Sequence, residues 1–317
     1  SWRNMFGRVR LAERRRTRVY TFPSENRSVE LECTICPPMS RLPEPSTEAL
    51  AHSQRLHDAI ADAVRREGGF LAFSRYMEMA LYAPGLGYYA AGARKFGSAG
   101  DFVTAPEMTP LFGQALATQI AQAMLASAPM VIEVGAGSGR LAADVLLALE
   151  KMDSLPDCYA ILDLSPDLRA RQRETLAAAA PHLLSRVHWL DRLPEHFSGV
   201  VVANELLDAL PADLVVWGEG EIFERGVGVD TNGRFTWNER PAGGALLDAA
   251  LAIAEECALG GAYLSEISLA ARAWSAEWGR RLERGVLLLI DYGFPRHEFY
   301  PPQRRQGTLM CHYRHHA

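Results

Sequence analysis

The chain has 317 residues, about twice the ~150 that serve as a soft prior for one domain. Hydrophobic residues make up 48% and charged residues 22%, enough apolar mass for a true core, which excludes a disordered, collagen-like or disulfide-stapled chain. A formal net charge of -5 argues against a nucleic-acid surface over the whole chain, and no apolar run approaches the ~18–20 residues of a spanning helix, so a soluble protein is expected.

The basic residues are 31 Arg against only Lys95 and Lys151, a bias that reads as a GC-rich coding sequence. The five Cys (Cys33, Cys36, Cys158, Cys257, Cys311) are odd in number and mostly isolated, which suits a reducing compartment.

Residues 1–46 read as a disordered or processed segment. Residues 1–40 carry eight Arg against four Glu and show no apolar periodicity. A targeting presequence or an RNA-binding arm would use such arginines, but Glu13, Glu25, Glu30 and Glu32 count against a transit peptide. A natural start at Met39 is a further reading. Cys33-x-x-Cys36 has no second pair at zinc spacing, so no metal site is expected.

Residues 47–127 read as a helical and loop region that covers a site. Leu50, Leu56, Ile60, Ala63 and Val64 fall near helical spacing, and Gly68-Gly69 then precedes a second apolar segment, Phe70 to Leu81. The Gly- and Tyr-rich stretch Tyr82–Tyr89 and the stretch Gly100–Glu107 read as loops, and residues 109–126 return to a helix.

From residue 128 to 317 the chain alternates short β-rich runs with amphipathic helices. Strands are expected at Met130–Val134, Cys158–Leu162, Val187–Leu190, Val200–Ala203 and Val286–Asp291. Helices are expected at Leu141–Lys151, Leu168–Ala180, Leu246–Leu259 and Leu269–Leu282. The alternation predicts an α/β fold, a Rossmann-like parallel sheet with helices on both faces. Glu221–Val229 and Arg234–Asn238, joined by Asp230-Thr-Asn-Gly233, predict a β-hairpin inserted at about 214–285.

The sharpest feature is Val131-Ile-Glu-Val-Gly-Ala-Gly-Ser-Gly-Arg140, an apolar strand running into Gly135, Gly137 and Gly139 before a helix. Glycines here permit positive φ and close approach of a ligand to the backbone, and the helix start offers unpaired N–H groups. A dinucleotide fingerprint would require glycine where Arg140 stands, and the Gly-Lys-Ser/Thr of a Walker motif is absent. Glu133, two residues before the turn, suits a cationic cofactor better than a pyrophosphate. Asp163 closes the second strand 24 residues after Gly139, where a carboxylate can accept both ribose hydroxyls or cap the next helix. Asp191 follows the third strand at the place expected for the adenine edge. The fourth strand runs into Ala203-Asn-Glu-Leu-Leu-Asp-Ala-Leu-Pro211, which puts Asn204, Glu205 and Asp208 at the carboxyl edge of the sheet. Two carboxylates there can orient a cationic acceptor such as a guanidinium; the plainer alternative is a capping turn with solvated acids.

Glu133-x-Gly135-x-Gly137-x-Gly139 resembles the signature of class I S-adenosylmethionine-dependent methyltransferases. Together with Phe70–Met77, Ala80–Tyr89, Gly100–Glu107, Asn204–Pro211 and Ile290-Asp-Tyr-Gly-Phe-Pro295, it resembles one family within them, from about residue 55 to the C-terminus. This is the family of bacterial and mitochondrial methyltransferases that includes the protein arginine methyltransferase of respiratory complex I assembly. The resemblance implies S-adenosyl-L-methionine as cofactor, with Gly135 and Gly137 flanking its methionine part, Gly139 in the same turn and Asp163 on the ribose. The Gly100–Glu107 loop would fold over it, with Asp101, Thr104 and Glu107 as polar contacts. Glu205, with Asp208 and Asn204, would face the acceptor, implied to be an arginine of a protein substrate such as a complex I subunit.

Members of the family continue beyond the Tyr313-Arg-His-His-Ala317 that closes this chain, so the last antiparallel strand of the sheet is expected to be missing, with Gly307–Tyr313 supplying one strand of a terminal hairpin. His312, His315 and His316 read as incidental. A non-catalytic assembly or scaffold protein that keeps the fold is the alternative function, and an NAD-dependent oxidoreductase is disfavoured by Arg140. The composition favours a bacterial cytoplasm, with the mitochondrial matrix as alternative.

Overall fold

The computed structural model describes residues 44–90, 104–218, 220–259 and 261–310. The expectations for residues 1–43, for Asp101 and for the histidines of residues 311–317 lie outside the described residues.

Helix α1 (Thr47–Arg66) starts where the Ser46 hydroxyl accepts the Ala49 N–H at 3.2 Å and buries Ile60, Ala61, Ala63 and Val64. A two-residue strand β1 (Leu71–Ala72) leads into α2 (Phe73–Tyr82). The short α3 (Ala105–Met108) precedes α4 (Pro110–Ala126), which Thr109 caps through the Leu111 N–H, with Pro110 at the first helical position. The chain then alternates as its sequence predicts: β2 (Met130–Val134), α5 (Arg140–Lys151), β3 (Cys158–Leu162), α6 (Pro166–Ala179), β4 (Val187–Leu190) and β5 (Phe197–Asn204). Next come β6 (Asp213–Trp217), β7 (Ile222–Val229), β8 (Phe235–Pro241), α7 (Gly244–Cys257) and β9 (Tyr263–Ile267). Helix α8 (Leu269–Arg281), β10 (Leu282–Ile290) and α9 (Arg296–Phe299) complete the described elements.

Five strands form a parallel sheet in the order β10-β5-β2-β3-β4. Its inner strands are nearly continuous in apolar residues because helices cover both faces. Val131, Ile161, Val200 and Val202 face α4 and α5, where Ile120, Val145, Leu146 and Leu149 have no exposed surface. Ile132, Val134, Ala160, Val201 and Ala203 point the other way, into a cluster that includes the fully buried Trp278 of α8. The chain moves outward from β2 to β4, then returns to place β5 on the other side of β2. The carboxyl ends of β2 and β5 therefore flank the switch point at which open α/β sheets bind ligands.

The expected hairpin exists as β7 and β8, with Val229 opposite Phe235, but it does not decorate the parallel sheet as a simple insertion. It belongs to a second, antiparallel five-stranded sheet in which β1, β7, β6 and β9 lie side by side and β8 pairs with β7. Strands β6 and β9, absent from the sequence reading, bring Val215, Trp217, Tyr263 and Ile267 against Leu246, Ala250 and Ile253 of α7. Pairing of β1 with β7 joins the segment before the parallel sheet to the segment between β5 and β10. No strand follows β10 among the described residues. Of the residues expected in a terminal hairpin strand, Thr308 and Leu309 instead donate their N–H groups to the Glu266 carboxylate at 2.7 and 2.9 Å.

Candidate active site

A cavity of about 1360 Å³ opens at the switch point. It exceeds the ~300–1,000 Å³ usual for one small ligand, room enough for a cofactor and part of an acceptor. Its walls come from the turn after β2, the ends of β3 and β5, α2 and the segment that follows it, α3, and Ala270 and Trp274 of α8.

The turn after β2 holds Gly135, Gly137 and Gly139 at φ of 70°, 53° and 83°. Gly135 and Gly137 line the cavity. Gly139 is buried on the opposite side, against α6, where an added Cβ would come 2.9 Å from the Cα of Gln172. Its glycine thus serves helix packing as well as the left-handed start of α5. Glu133 is 2% exposed and accepts the Tyr159 hydroxyl at 2.6 Å. Burial pushes its carboxyl up to about 7, with the Tyr159 hydrogen bond opposing and the charge of Asp163 adding to the rise.

Asp163 stands at the end of β3, lining the cavity. One carboxylate oxygen accepts the Ser165 N–H at 3.0 Å and the other accepts the Gln172 amide at 2.8 Å. Burial raises its pKa and these hydrogen bonds oppose the rise. Gln172, which the sequence reading did not single out, is fully buried. Its amide N–H₂ also reaches the Gly137 carbonyl at 3.2 Å, and its oxygen accepts the Trp189 indole N–H at 2.9 Å. A polar residue inside an α6 that otherwise buries only Leu176 was the available signal, but spacing alone does not distinguish it from a solvated glutamine. Asp191 is not among the cavity residues; its side chain is 85% exposed and pairs with Arg169 at 2.7 Å. Thr104 and Glu107 do line the cavity, and Glu107 accepts a short hydrogen bond from Ser138 of the glycine turn.

The other end of the cavity is acidic. Glu205 follows β5 with φ of 48°, a left-handed conformation that costs a non-glycine residue roughly 1–2 kcal/mol. Its N–H donates to the Ile290 carbonyl at 2.8 Å, and the Tyr292 hydroxyl donates to its carboxylate at 3.4 Å. Burial, then the charges of Asp208 and Asp291, raise the Glu205 pKa. Enclosure by the cavity walls and the charge of Asp291 push Asp208 up to about 6. Asp291, also unnoticed as a site residue from sequence, accepts the Leu207 and Asp208 N–H groups at 2.7 and 3.2 Å. Tyr82 and Tyr89 stack at 5.5 Å beside these acids, and Tyr82 donates to the Ala209 carbonyl at 2.7 Å. Burial drives both phenols up, Tyr89 to about 12.

These donor sets fit a nucleoside cofactor with a positively charged end. Positive-φ glycines let a ligand reach the backbone at Gly135 and Gly137, and Asp163 offers an anchored carboxylate for vicinal hydroxyls. The remaining acids favour positive charge.

A family model of S-adenosyl-L-methionine-dependent methyltransferases matches residues 115–317. The crystal structure of a Burkholderia thailandensis protein bound to S-adenosyl-homocysteine is 51% identical in sequence. It aligns with a TM-score of 0.82 and covers 87% of this chain and 72% of that one. The protein arginine methyltransferase NDUFAF7 of Danio rerio is 29% identical over 259 residues, which are 71% of this chain and 59% of the relative. The NDUFAF7 homolog of Drosophila melanogaster is 29% identical over 221 residues, 61% of this chain and 50% of its own. The chain spans about half the length of the curated relatives it matches.

Two outcomes follow from this geometry. Asp163→Ala is expected to weaken S-adenosyl-homocysteine binding about ten- to hundredfold by calorimetric titration, the worth of hydrogen bonds to a charged group; unchanged affinity would remove Asp163 from the cofactor. Glu133, raised on folding from 4.5 to about 7, contributes stability that is full below the unfolded value and lost as pH rises through 7. Glu133→Gln, which keeps an acceptor for Tyr159 without a charge, is therefore expected to raise the melting temperature of the ligand-free chain above pH 7 and to change it little near pH 5. Equal melting of the two proteins at about pH 8 would show that the buried carboxyl carries no such penalty.

Proposed function

The chain belongs to the family of S-adenosyl-L-methionine-dependent methyltransferases, and on that premise we propose that it methylates arginine side chains of a protein. The observation that carries the reading is the pair of cavity carboxylates, Glu205 and Asp208, at the carboxyl edge of the sheet beside the glycine turn. Among the described residues, nothing cationic is among the groups that shift either acid. An acceptor that brings its own positive charge relieves that accumulation, and a guanidinium also offers paired N–H donors that match carboxylate oxygens. The names of the curated relatives support arginine over other cationic acceptors. The resemblance noted in the sequence points to a respiratory complex I subunit as the acceptor protein, and the bacterial relative supports a bacterial cytoplasm as the compartment. No helix among the described residues is long and apolar enough to cross a membrane.

Bound S-adenosyl-L-methionine supplies an electrophilic methyl group. The Gly135 and Gly137 backbone and Asp163 would hold it, with Glu133, which also lines the cavity and accepts the Tyr159 hydroxyl, beside them. Glu205 and Asp208 hold the acceptor side chain and orient one nitrogen towards the glycine turn. A guanidinium nitrogen that gains a methyl group must release one proton, and a carboxylate oxygen of Glu205 or Asp208 is placed to accept it. Tyr82, Tyr89 and Trp274 form aromatic walls that exclude water and suit a flat cation. Catalysis of this kind rests on positioning and on electrostatics fixed before the reaction begins.

The test is transfer of labelled methyl groups from S-adenosyl-L-methionine to arginine-containing peptides and to the same peptides with lysine in place of arginine. Label is expected on arginine alone, and Glu205→Gln is expected to lower kcat about a hundredfold while leaving S-adenosyl-homocysteine affinity within about twofold. Label on lysine would move the acceptor class. Tight cofactor binding with no transfer to any cationic peptide would favour the non-catalytic scaffold.

A further inference from the structure

The end of β10 fastens the turn after β5 residue by residue. Ile290 accepts the Glu205 N–H at 2.8 Å, extending the parallel ladder by one bond. Asp291 then places one carboxylate oxygen 2.7 Å from the Leu207 nitrogen and 3.2 Å from that of Asp208, while its other oxygen lies 2.8 Å from the Tyr292 nitrogen. Tyr292 follows with its hydroxyl on the Glu205 carboxylate. A side chain that accepts three N–H groups and donates none must be a carboxylate, because an amide would turn a donor towards one of them. The turn needs such a fastener. Glu205 holds a left-handed backbone that its Cβ disfavours, and such a conformation persists only where the surroundings over-determine it.

We propose that Asp291 is the positioning residue of the acceptor end: by accepting the Leu207 and Asp208 N–H groups it fixes the Glu205–Leu210 turn so that Glu205 and Asp208 face the cavity together. The proposal rests on the reading that this end receives a cationic side chain. Asp291 is not among the cavity residues, so it acts through the two acids and not on the acceptor itself. Its charge also bears on them. Facing Asp208 are Glu205 from the same turn, Asp291 and Tyr292 from the end of β10, and Tyr82 and Tyr89 from α2 and the segment after it. Removing one anion from that group lets Asp208 release its proton at lower pH.

Amide hydrogen exchange, S-adenosyl-homocysteine titration and arginine-peptide methylation across a range of pH, all on the full chain, test this. In the wild type, the Leu207 and Asp208 amides should exchange at least about tenfold more slowly than those of an open turn. In Asp291→Ala, which removes the oxygen that both N–H groups share, that protection should fall away while S-adenosyl-homocysteine affinity stays within about twofold. Peptide kcat/KM should drop about ten- to hundredfold, and the rise of activity with pH should move to lower pH. Asp291→Glu, which keeps an acceptor-only head, should recover part of the lost kcat. A merely structural role would lower cofactor affinity and turnover together and leave the pH profile in place, which would overturn the proposal. Free exchange of both amides in the wild type would overturn it whatever the variants do, including an Asp291→Ala that fails to fold. Protected amides that open in Asp291→Ala, in a chain that methylates no arginine peptide, would uphold the positioning role and sink only the reading of the reaction.

Discussion

Gln172 reaches no solvent, and its side-chain amide is shared among three parts of the cofactor end. The N–H₂ group donates to the Gly137 carbonyl and the Asp163 carboxylate, and the oxygen accepts from Trp189. A buried amide is costly unless its hydrogen bonds are made, so these bonds act as a constraint: the glycine turn, the end of β3 and the end of β4 must keep the spacing that satisfies them. The same constraint explains Gly139, whose missing side chain lets the Gln172 backbone come close. Two positions, 33 residues apart in sequence, therefore depend on each other, and the cofactor end is organised before any ligand arrives.

The two ends of the cavity treat their carboxyl groups differently. At the cofactor end each acid is held by hydrogen bonds while burial raises it: Glu133 accepts one from a buried tyrosine, and Asp163 accepts two. At the acceptor end burial and the charges of neighbouring acids raise Glu205 and Asp208, while hydrogen bonds from Tyr292, Asn204 and backbone N–H groups oppose the rise. On the proposed reading, the acids at the acceptor end concentrate a negative charge that a cationic side chain entering the cavity relieves.

The parallel sheet was legible because its strands are short apolar runs bounded by helical periodicity, and β2, β3 and β4 fall on the residues their sequence marks. The second sheet was not. In β9 the buried face carries Tyr263, Ser265 and Ile267, while Leu264 lies on the more open face, so alternation of hydrophobicity is broken inside a five-residue strand. β6 begins two residues after Pro211 and reads as the tail of the preceding motif. At the site, residues fixed by a local motif could be found: Gly135, Gly137, Asp163, Glu205 and Asp208 line one cavity, as do Thr104 and Glu107. Those that act through long-range hydrogen bonds could not. Gln172 has ordinary neighbours in sequence, and Asp291 lies in the Ile290–Pro295 motif without a role that the motif assigns it; only folding places the Gln172 amide on Gly137, Asp163 and Trp189 and the Asp291 carboxylate on the Leu207 and Asp208 N–H groups. Asp191 shows the converse, since a position inferred from strand order says nothing about where a side chain on the following loop will point.

The second sheet also explains why the acceptor end can be built apart from the cofactor end. The Asn204–Pro211 turn leaves the parallel sheet at β5 and enters the antiparallel sheet at β6, and it is gripped on the way. Tyr82 of α2 donates to the Ala209 carbonyl, and Ser268, which caps α8, donates to the Pro211 carbonyl. Helix α2 follows β1, which pairs with β7, and α8 follows β9, which pairs with β6. Both grips therefore originate in the antiparallel sheet, whereas Glu133, Gly135, Asp163 and Gln172 are placed by the parallel sheet and its helices. On the proposed reading, the fold thus builds the walls that meet the acceptor from the antiparallel sheet and those that meet the cofactor from the parallel sheet. The end of β10, through Asp291, is where the parallel sheet reaches across to hold the turn that both sheets share.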